Sequence, residues 1–317
     1  MKKYLIFGTG FIATAYVRFL LEQGGEVAAV FHSAPSDDLP KEIQRKSSTH
    51  ARTLERLIRK ENPSYIILTQ GLSFIPDNEK ELRRSIESNV MAPIGILEAV
   101  YQLRKKGGLP HLEKILTFGS AAEYGERAKL WHENATDTHP TSLYGLVKHW
   151  LFEASRFYAD LGLPTVHLRH FNTVGPGQNP RFVVASFARQ IAAIERGAQK
   201  PFLTVGDLSQ KRDFIDVRDA IAAYELILRA APAGAIVNIC SGRTYPIRKM
   251  VDLLRSLSKK KFKVAVDRGL FSDKRTRDKT LSGRPDWLIR HGWKPARAIR
   301  ETLAWILDET RKEHGKK

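Results

Sequence analysis

Cysteine is almost missing from this chain. Cys240 is the single example in 317 residues, which excludes an intramolecular disulfide and any cysteine-based metal cluster within one molecule. Its setting in "AIVNIC" is apolar, so it reads as a small buried hydrophobe. Long apolar runs are missing too. No stretch approaches the length that spans a bilayer, which predicts a soluble, cytoplasmic protein without membrane insertion. The opening "MKKYLIFGTGFIA" sets two lysines before an apolar run, as a secretion signal does, but glycines interrupt the run and a strand-turn-helix pattern follows at once. Internal repeats and low-complexity linkers are also lacking. Acidic residues are scarce against basic ones: 34 Asp and Glu face 52 Lys and Arg, leaving a net charge of +18 that attracts anions of any kind. The basic residues are dispersed, apart from "SKKKFK" and "RKEHGKK", and no nucleic-acid recognition motif accompanies them. A solvated basic surface is therefore expected, with no specific nucleic-acid partner and no metal site.

What is present is an alternation. Short β-branched runs ("KYLIF", "EVAAVF", "SYIILT", "EKILTF", "TVHLRHF") are each followed by a longer helical pattern, up to "LYGLVKHWLFEASRFYADLG". Strand then helix, repeated, implies crossover units and a parallel sheet covered on both faces. The fold class is α/β: a Rossmann-like doubly wound parallel sheet in residues 1–171, then a smaller C-terminal α/β substrate domain in residues 172–317. The segment near 215–240, "DVRDAIAAYELILRA" with "AIVNIC", is expected to return to the first sheet.

The first strand ends in Gly8-Thr9-Gly10, with Ala13 at the third glycine position of a G-x-G-x-x-G/A turn. Gly8 permits the tight turn and Gly10 lets the backbone approach a pyrophosphate. The N–H groups at the start of the helix, at Phe11 and Ile12, are free to donate. The second strand ends in Phe31, His32 and Ser33 instead of the acidic residue that holds the ribose hydroxyls of NAD. This favours NADP, with NAD the other possibility, and makes His32 and Ser33 candidates for the 2′-phosphate.

In "YGLVK", Tyr144 and Lys148 stand four residues apart on a helix and share a face. Upstream, "KILTFGS" ends a predicted strand at Ser120, on the side where doubly wound proteins build their sites. A nearby ammonium favours phenolate and so lowers the phenol's pKa. Ser120 can hydrogen-bond the same substrate oxygen, and with a nicotinamide the three suit hydride transfer at a carbinol or ketone carbon.

With these segments, and with "NVMAPIGILEAV", "GSAAEYG", "LRHFNTVGPGQ", "RDFIDVRDAIAAY" and "NICSG", the chain resembles the extended short-chain dehydrogenase/reductases that act on nucleotide sugars as epimerases, dehydratases and reductases. Within that group "RFVVASFARQIAAIERG" and "VGDLSQKRDFIDVRD" are most similar to reductases of GDP-4-keto-6-deoxy-mannose, which make GDP-rhamnose or its C4 epimer. The dehydratases carry a glutamate base where this chain has Ala122, and Glu123, one residue displaced, is expected to point elsewhere. The resemblance implies that Ser120, Tyr144 and Lys148 are catalytic, that Asn172 lies beside the sugar diphosphate, and that Arg212 and Arg275 grip its pyrophosphate. It implies a nucleotide-sugar substrate and a homodimer. Departures from the family pattern are the shorter first glycine turn, Ser142-Leu143 for Ser-Pro, "TQG" at 69–71 and "SGRPDW". Two other readings stay open: a 4-epimerase with tightly held NAD, and a non-catalytic nucleotide-sensing or nucleic-acid-binding protein.

Overall fold

The computed structural model describes residues 2–32, 34–47, 50–73, 79–125, 130–135, 138–270 and 280–315. The first apolar run forms β1 (Lys3–Phe7), and the glycine turn leads into α1 (Phe11–Glu22). Then come β2 (Glu26–Phe31), β3 (Gln44–Lys46), α2 (Ala51–Glu61), β4 (Tyr65–Leu68), α3 (Glu79–Ile86), a π-helical turn (Glu87–Met91) and α4 (Ala92–Lys105). β5 (Lys114–Ser120), α5 (Leu143–Asp160) and β6 (Thr165–His170) complete the regular alternation. The remainder is β7 (Asn172–Val174), α6 (Val183–Arg196), β8 (Phe202–Val205), β9 (Lys211–Asp216), α7 (Val217–Ala230), β10 (Ile236–Ile239), β11 (Thr244–Pro246), α8 (Ile247–Leu257), β12 (Lys263–Val266), β13 (Thr280–Leu281), α9 (Asp286–Arg290) and α10 (Ile299–Gly315). No helix among the described residues is long and apolar enough to cross a membrane.

Chain contacts divide the protein into two units. Met1–Arg127, Glu133–His170 and Ala223–Asn238 form the first; Ala128–His132, Phe171–Ala222 and Ile239–Lys317 form the second. The first holds a seven-stranded sheet of order β10-β6-β5-β4-β1-β2-β3, parallel at every pairing from β6 to β3. From β1 the chain steps outward to β3, then returns to β4 on the other side of β1. The crossovers leave β1 and β4 in opposite directions, and the carboxyl ends of these two strands open a crevice. All four residues of β4 are buried, as expected of a strand covered on both faces. One sheet face packs Leu5, Val30 and Ile66 with Leu54 and Ile58 of α2 and Leu97 and Val100 of α4. On the other, Tyr16 of α1 meets Tyr4 edge-on, with ring centroids 6.1 Å apart, and lies 5.5 Å from Tyr224 of α7.

The periodicity of residues 81–101 predicts one continuous helix, but the structure interrupts it with the π-helical turn. Pro93 has no N–H to give the carbonyl of residue 89, so the regular ladder fails there and the backbone widens. That widening carries Asn89, fully buried, inward.

In the second unit β9 pairs antiparallel with β11 and parallel with β7 and β13, while β8 and β12 form a separate parallel pair. Its core brings together Phe187 and Ile191 of α6, Met250 and Leu254 of α8, and Leu303 and Leu307 of α10.

Candidate active site

The turn after β1 is constrained by its neighbour. Gly8 has φ +117°, and a Cβ there would lie 2.5 Å from Thr69 Oγ1 and 3.0 Å from the Gln70 nitrogen, so the position takes no side chain. Gly10 differs: a Cβ on it would meet nothing within 4 Å. The protein's own packing does not require glycine at 10, whereas a ligand seated against the turn does. Gly10 precedes α1 with no side-chain cap, which leaves the first-turn N–H groups at Phe11 and Ile12 to an anion. Beside the turn, both side-chain polar atoms of Gln70 are buried without a partner among the described residues. An open cradle, an uncapped helix start and an orphaned amide fit a dinucleotide. His32 stands exposed just past β2; Ser33 lies outside the described residues.

Ser120 ends β5 and caps the short helical turn that follows: its Oγ accepts from the Ala122 N–H at 3.2 Å. Across from it α5 begins, with Ser142 Oγ accepting from the Gly145 N–H at 3.1 Å. A Cβ on Gly145 would lie 2.4 Å from the Ala122 carbonyl oxygen, so the helix start sits directly on the Ser120 turn. The Tyr144 phenol lies within reach of the Ser120 and Ser73 side chains. One turn on, Lys148 is buried, donates to the Phe118 carbonyl at 2.8 Å and has its Nζ 6.0 Å from the Tyr144 ring centroid. The structure thus brings Ser120, Tyr144 and Lys148 together.

The expected electrostatics of this trio need correction. The spacing predicts a phenol lowered by the ammonium. Instead burial pushes Tyr144 up to about 12, aided by the Glu123 charge and opposed by the Ser120 and Ser73 side chains. Burial also brings Lys148 down to about 8, against the pull of Glu123. Desolvation is the largest cause at both groups, and at Lys148 it outweighs the opposing charge of Glu123. Glu123 points elsewhere, as expected: it is fully buried and bonded to His167 and Arg169.

Sequence reasoning passed over Asn89. Its Nδ2 donates to the carbonyls of Leu72 and Ser85, at 3.1 and 3.0 Å, while its Oδ1 is buried without a partner among the described residues. That oxygen lies 2.1 Å from where a Cβ on Gly71 would stand, and the same point is 3.4 Å from Lys148 Nζ. The available signal was an amide four residues before a proline within a helical pattern.

Asn172 and Arg212 belong to the second unit, on the paired strands β7 and β9. Asn172 Nδ2 donates to the Asp213 carbonyl at 2.9 Å, and half-buried Arg212 donates to the Lys211 carbonyl and to Gln210 Oε1, each at 2.9 Å. The Asp213 carboxylate accepts from Ser241 N and Oγ and from Gly242 N; burial raises it to about 6 against these bonds. Thr173 Oγ1 on β7 and Gln178 Oε1 in the loop that follows are buried without partners among the described residues. Arg275 lies outside the described residues.

Residues 4–240 match the NAD dependent epimerase/dehydratase family. A GDP-6-deoxy-D-mannose reductase of Pseudomonas aeruginosa is 30% identical over 254 residues, covering 78% of this chain and 81% of that protein. Among solved structures, RMD from Pseudomonas aeruginosa complexed with NADPH superposes with a TM-score of 0.81 at 25% identity, covering 99% of this chain and 100% of that one. The Thermus thermophilus UDP-glucose 4-epimerase complex with NAD gives the same TM-score of 0.81 at 24% identity, over 98% of this chain and 99% of that one, a likeness of fold.

Proposed function

The chain belongs to the NAD dependent epimerase/dehydratase family, the extended short-chain dehydrogenase/reductases, and on that premise we propose that it reduces the C4 ketone of an NDP-4-keto-6-deoxy sugar. The substrate in this reading is GDP-4-keto-6-deoxy-mannose, and the product GDP-rhamnose or its C4 epimer. The observation that carries it is the Tyr144 phenol placed beside Ser120 at the start of α5, with Glu123 turned into the interior and alanine at 122, where an eliminating base would stand.

Bound NADPH supplies the hydride to C4. Its pyrophosphate is assigned to the turn at Gly8 and Gly10 and the N–H groups of Phe11 and Ile12, and its ribose to Lys148. With a pKa near 12, Tyr144 keeps its proton throughout the neutral range and so acts as the acid that delivers it to O4. Ser120 hydrogen-bonds the same oxygen and aims the phenol. Asn172 and Arg212, with Arg275, are assigned to the nucleoside diphosphate, for which guanidinium geometry is suited. The protein acts in the cytoplasm as a homodimer; exposed Met91, Trp150 and Phe157, at 60, 42 and 58%, offer an apolar surface beside α4 and on α5.

Purified protein given NADPH and GDP-4-keto-6-deoxy-mannose tests this. A reductase consumes NADPH in step with product. A 4-epimerase with resident NAD interconverts sugars with no net loss of nicotinamide absorbance, and that result would replace the reading.

A further inference from the structure

Behind Ser120, where a strand covered on both faces is expected to be apolar, lies a cluster of buried charged and polar groups. Glu123 Oε1 accepts from the Ser120 N–H at 2.6 Å, Oε2 accepts from Arg169 Nε at 2.9 Å, and both oxygens lie 3.1 Å from His167 Nε2. Glu123, His167 and Arg169 are 0, 2 and 1% exposed. His167 and Arg169 occupy alternate positions of β6 and so share one face of the sheet. The partners assign the imidazole's tautomer: Nε2–H faces the carboxylate, and Nδ1, 2.9 Å from Thr117 Oγ1, accepts. The Arg169 guanidinium is held between the rings of Tyr124 and Phe152, 4.4 and 4.7 Å from their centroids. A Cβ on Gly119 would stand 2.1 Å from Glu123 Oε1 and 2.2 Å from His167 Nε2, so the residue before Ser120 carries no side chain because the carboxylate and imidazole fill its place.

We propose that Glu123 is a positioning residue for Ser120: anchored by His167 and Arg169, its carboxylate holds the Ser120 backbone and so aims the hydroxyl at Tyr144. The inference rests on the reading of Ser120 and Tyr144 as the groups that meet the substrate oxygen. Two bonds run in opposite senses across three residues, Ser120 N–H to Glu123 and Ala122 N–H to Ser120 Oγ, so the serine is held at both main chain and side chain. The anchors are themselves held in place, one between two rings and the other bonded at both ring nitrogens. Burial alone would raise the carboxyl's pKa, but His167, Arg169 and the Ser120 N–H bring it below the ordinary range, so the group is ionised at neutral pH.

The test is a double-mutant cycle of Glu123→Gln with Ser120→Ala, read as NADPH-dependent reduction of GDP-4-keto-6-deoxy-mannose. Glu123→Gln is expected to lower kcat on the order of 10- to 100-fold with little change in KM, as misdirection of a reacting group does. In the Ser120→Ala background it is expected to lower kcat no further, because its effect passes through the missing hydroxyl. Losses that multiply, or a Glu123→Gln enzyme with wild-type kcat, overturn the proposal. Amide hydrogen exchange over residues 119–124, without substrate or cofactor, supplies a second readout. It is expected to quicken by about tenfold or more in Glu123→Gln while α2 exchanges as before; unchanged exchange also overturns the proposal. If the wild type shows no reductase activity, the functional reading fails and the exchange result still decides the role of Glu123. Should Glu123→Gln lack a native melting transition, His167→Leu, which keeps the carboxylate and Arg169, takes its place in both measurements under the same criteria.

Discussion

Replacing Lys148 with methionine should make the cofactor-free protein more stable while abolishing its activity. Lys148 is buried, its relative exposure being 5%, and burial has moved its ammonium from an ordinary 10.5 to about 8. At about 1.4 kcal/mol per tenfold change in equilibrium, keeping it charged in the folded state at pH 7 costs roughly 3 kcal/mol. Methionine matches the stem in length and removes the charge, but it also removes the 2.8 Å bond to the Phe118 carbonyl, worth about 1 kcal/mol. The net expectation at pH 7 is a gain of about 2 kcal/mol. Because the folded-state value lies below the unfolded one, the unfolded chain holds more protons between about pH 8 and 10.5, so wild-type stability rises with pH across that window. The variant lacks this rise. Its advantage should shrink above pH 8 and reverse by about pH 10.5, where the lysine is neutral in both states and only the lost bond remains. Urea denaturation of both proteins at a series of pH values, without cofactor, measures this. A Lys148→Met protein less stable than wild type at pH 7, or a difference that does not change with pH, would refute the reasoning.

Three further outcomes follow from the site. Tyr144→Phe should reduce turnover about 10²–10⁴-fold, the usual worth of general acid catalysis, with cofactor affinity nearly unchanged; steady-state kinetics with calorimetric NADPH titration checks both. A Cβ on Gly10 would meet no atom within 4 Å, so Gly10→Val should melt within the error of a scan of wild type while its NADPH binding, followed by fluorescence, falls below detection. His32→Asp should move the ratio of kcat/KM for NADPH over NADH toward NADH by about tenfold, or ~1.4 kcal/mol; a wild type that already prefers NADH rejects His32 as the 2′-phosphate contact.

Much of this was legible in local pattern. The strand-helix alternation, the turn at Gly8 and Gly10 with its uncapped helix start, and the placing of Ser120 and Tyr144 at the ends of β5 and α5 depend on residues within a few positions of one another. The misses have physical causes. The three-residue β3 is too short and polar to register as a strand, and is an edge strand only because β2 lies beside it. The π-helical turn hides in a helical period that one proline breaks. The Tyr144 phenol was misjudged because i,i+4 spacing reports on the neighbouring charge but not on how much water the folded site removes. The Glu123 cluster is half legible: Ser120 and Glu123 have capping-box spacing, whereas His167 and Arg169 lie more than forty residues on and meet the carboxylate only through the pairing of β5 with β6.

The assembly of the first unit from three stretches of chain bears on how the protein is made. β6 is complete at residue 170, and all six of its residues are buried in the folded protein, yet the strand that covers its outer edge, β10, begins at residue 236. A ribosome adds the intervening segment, roughly 65 residues at about 5–20 per second, in about 3 to 13 s. For that interval the nascent sheet presents an unpaired edge carrying Val166 and Leu168, the kind of surface on which chains pair wrongly with one another. The length of the second unit's middle stretch, Phe171–Ala222, therefore acts as a delay in biosynthesis, and an insertion there would prolong the exposure of β6 even if it left the finished fold unchanged.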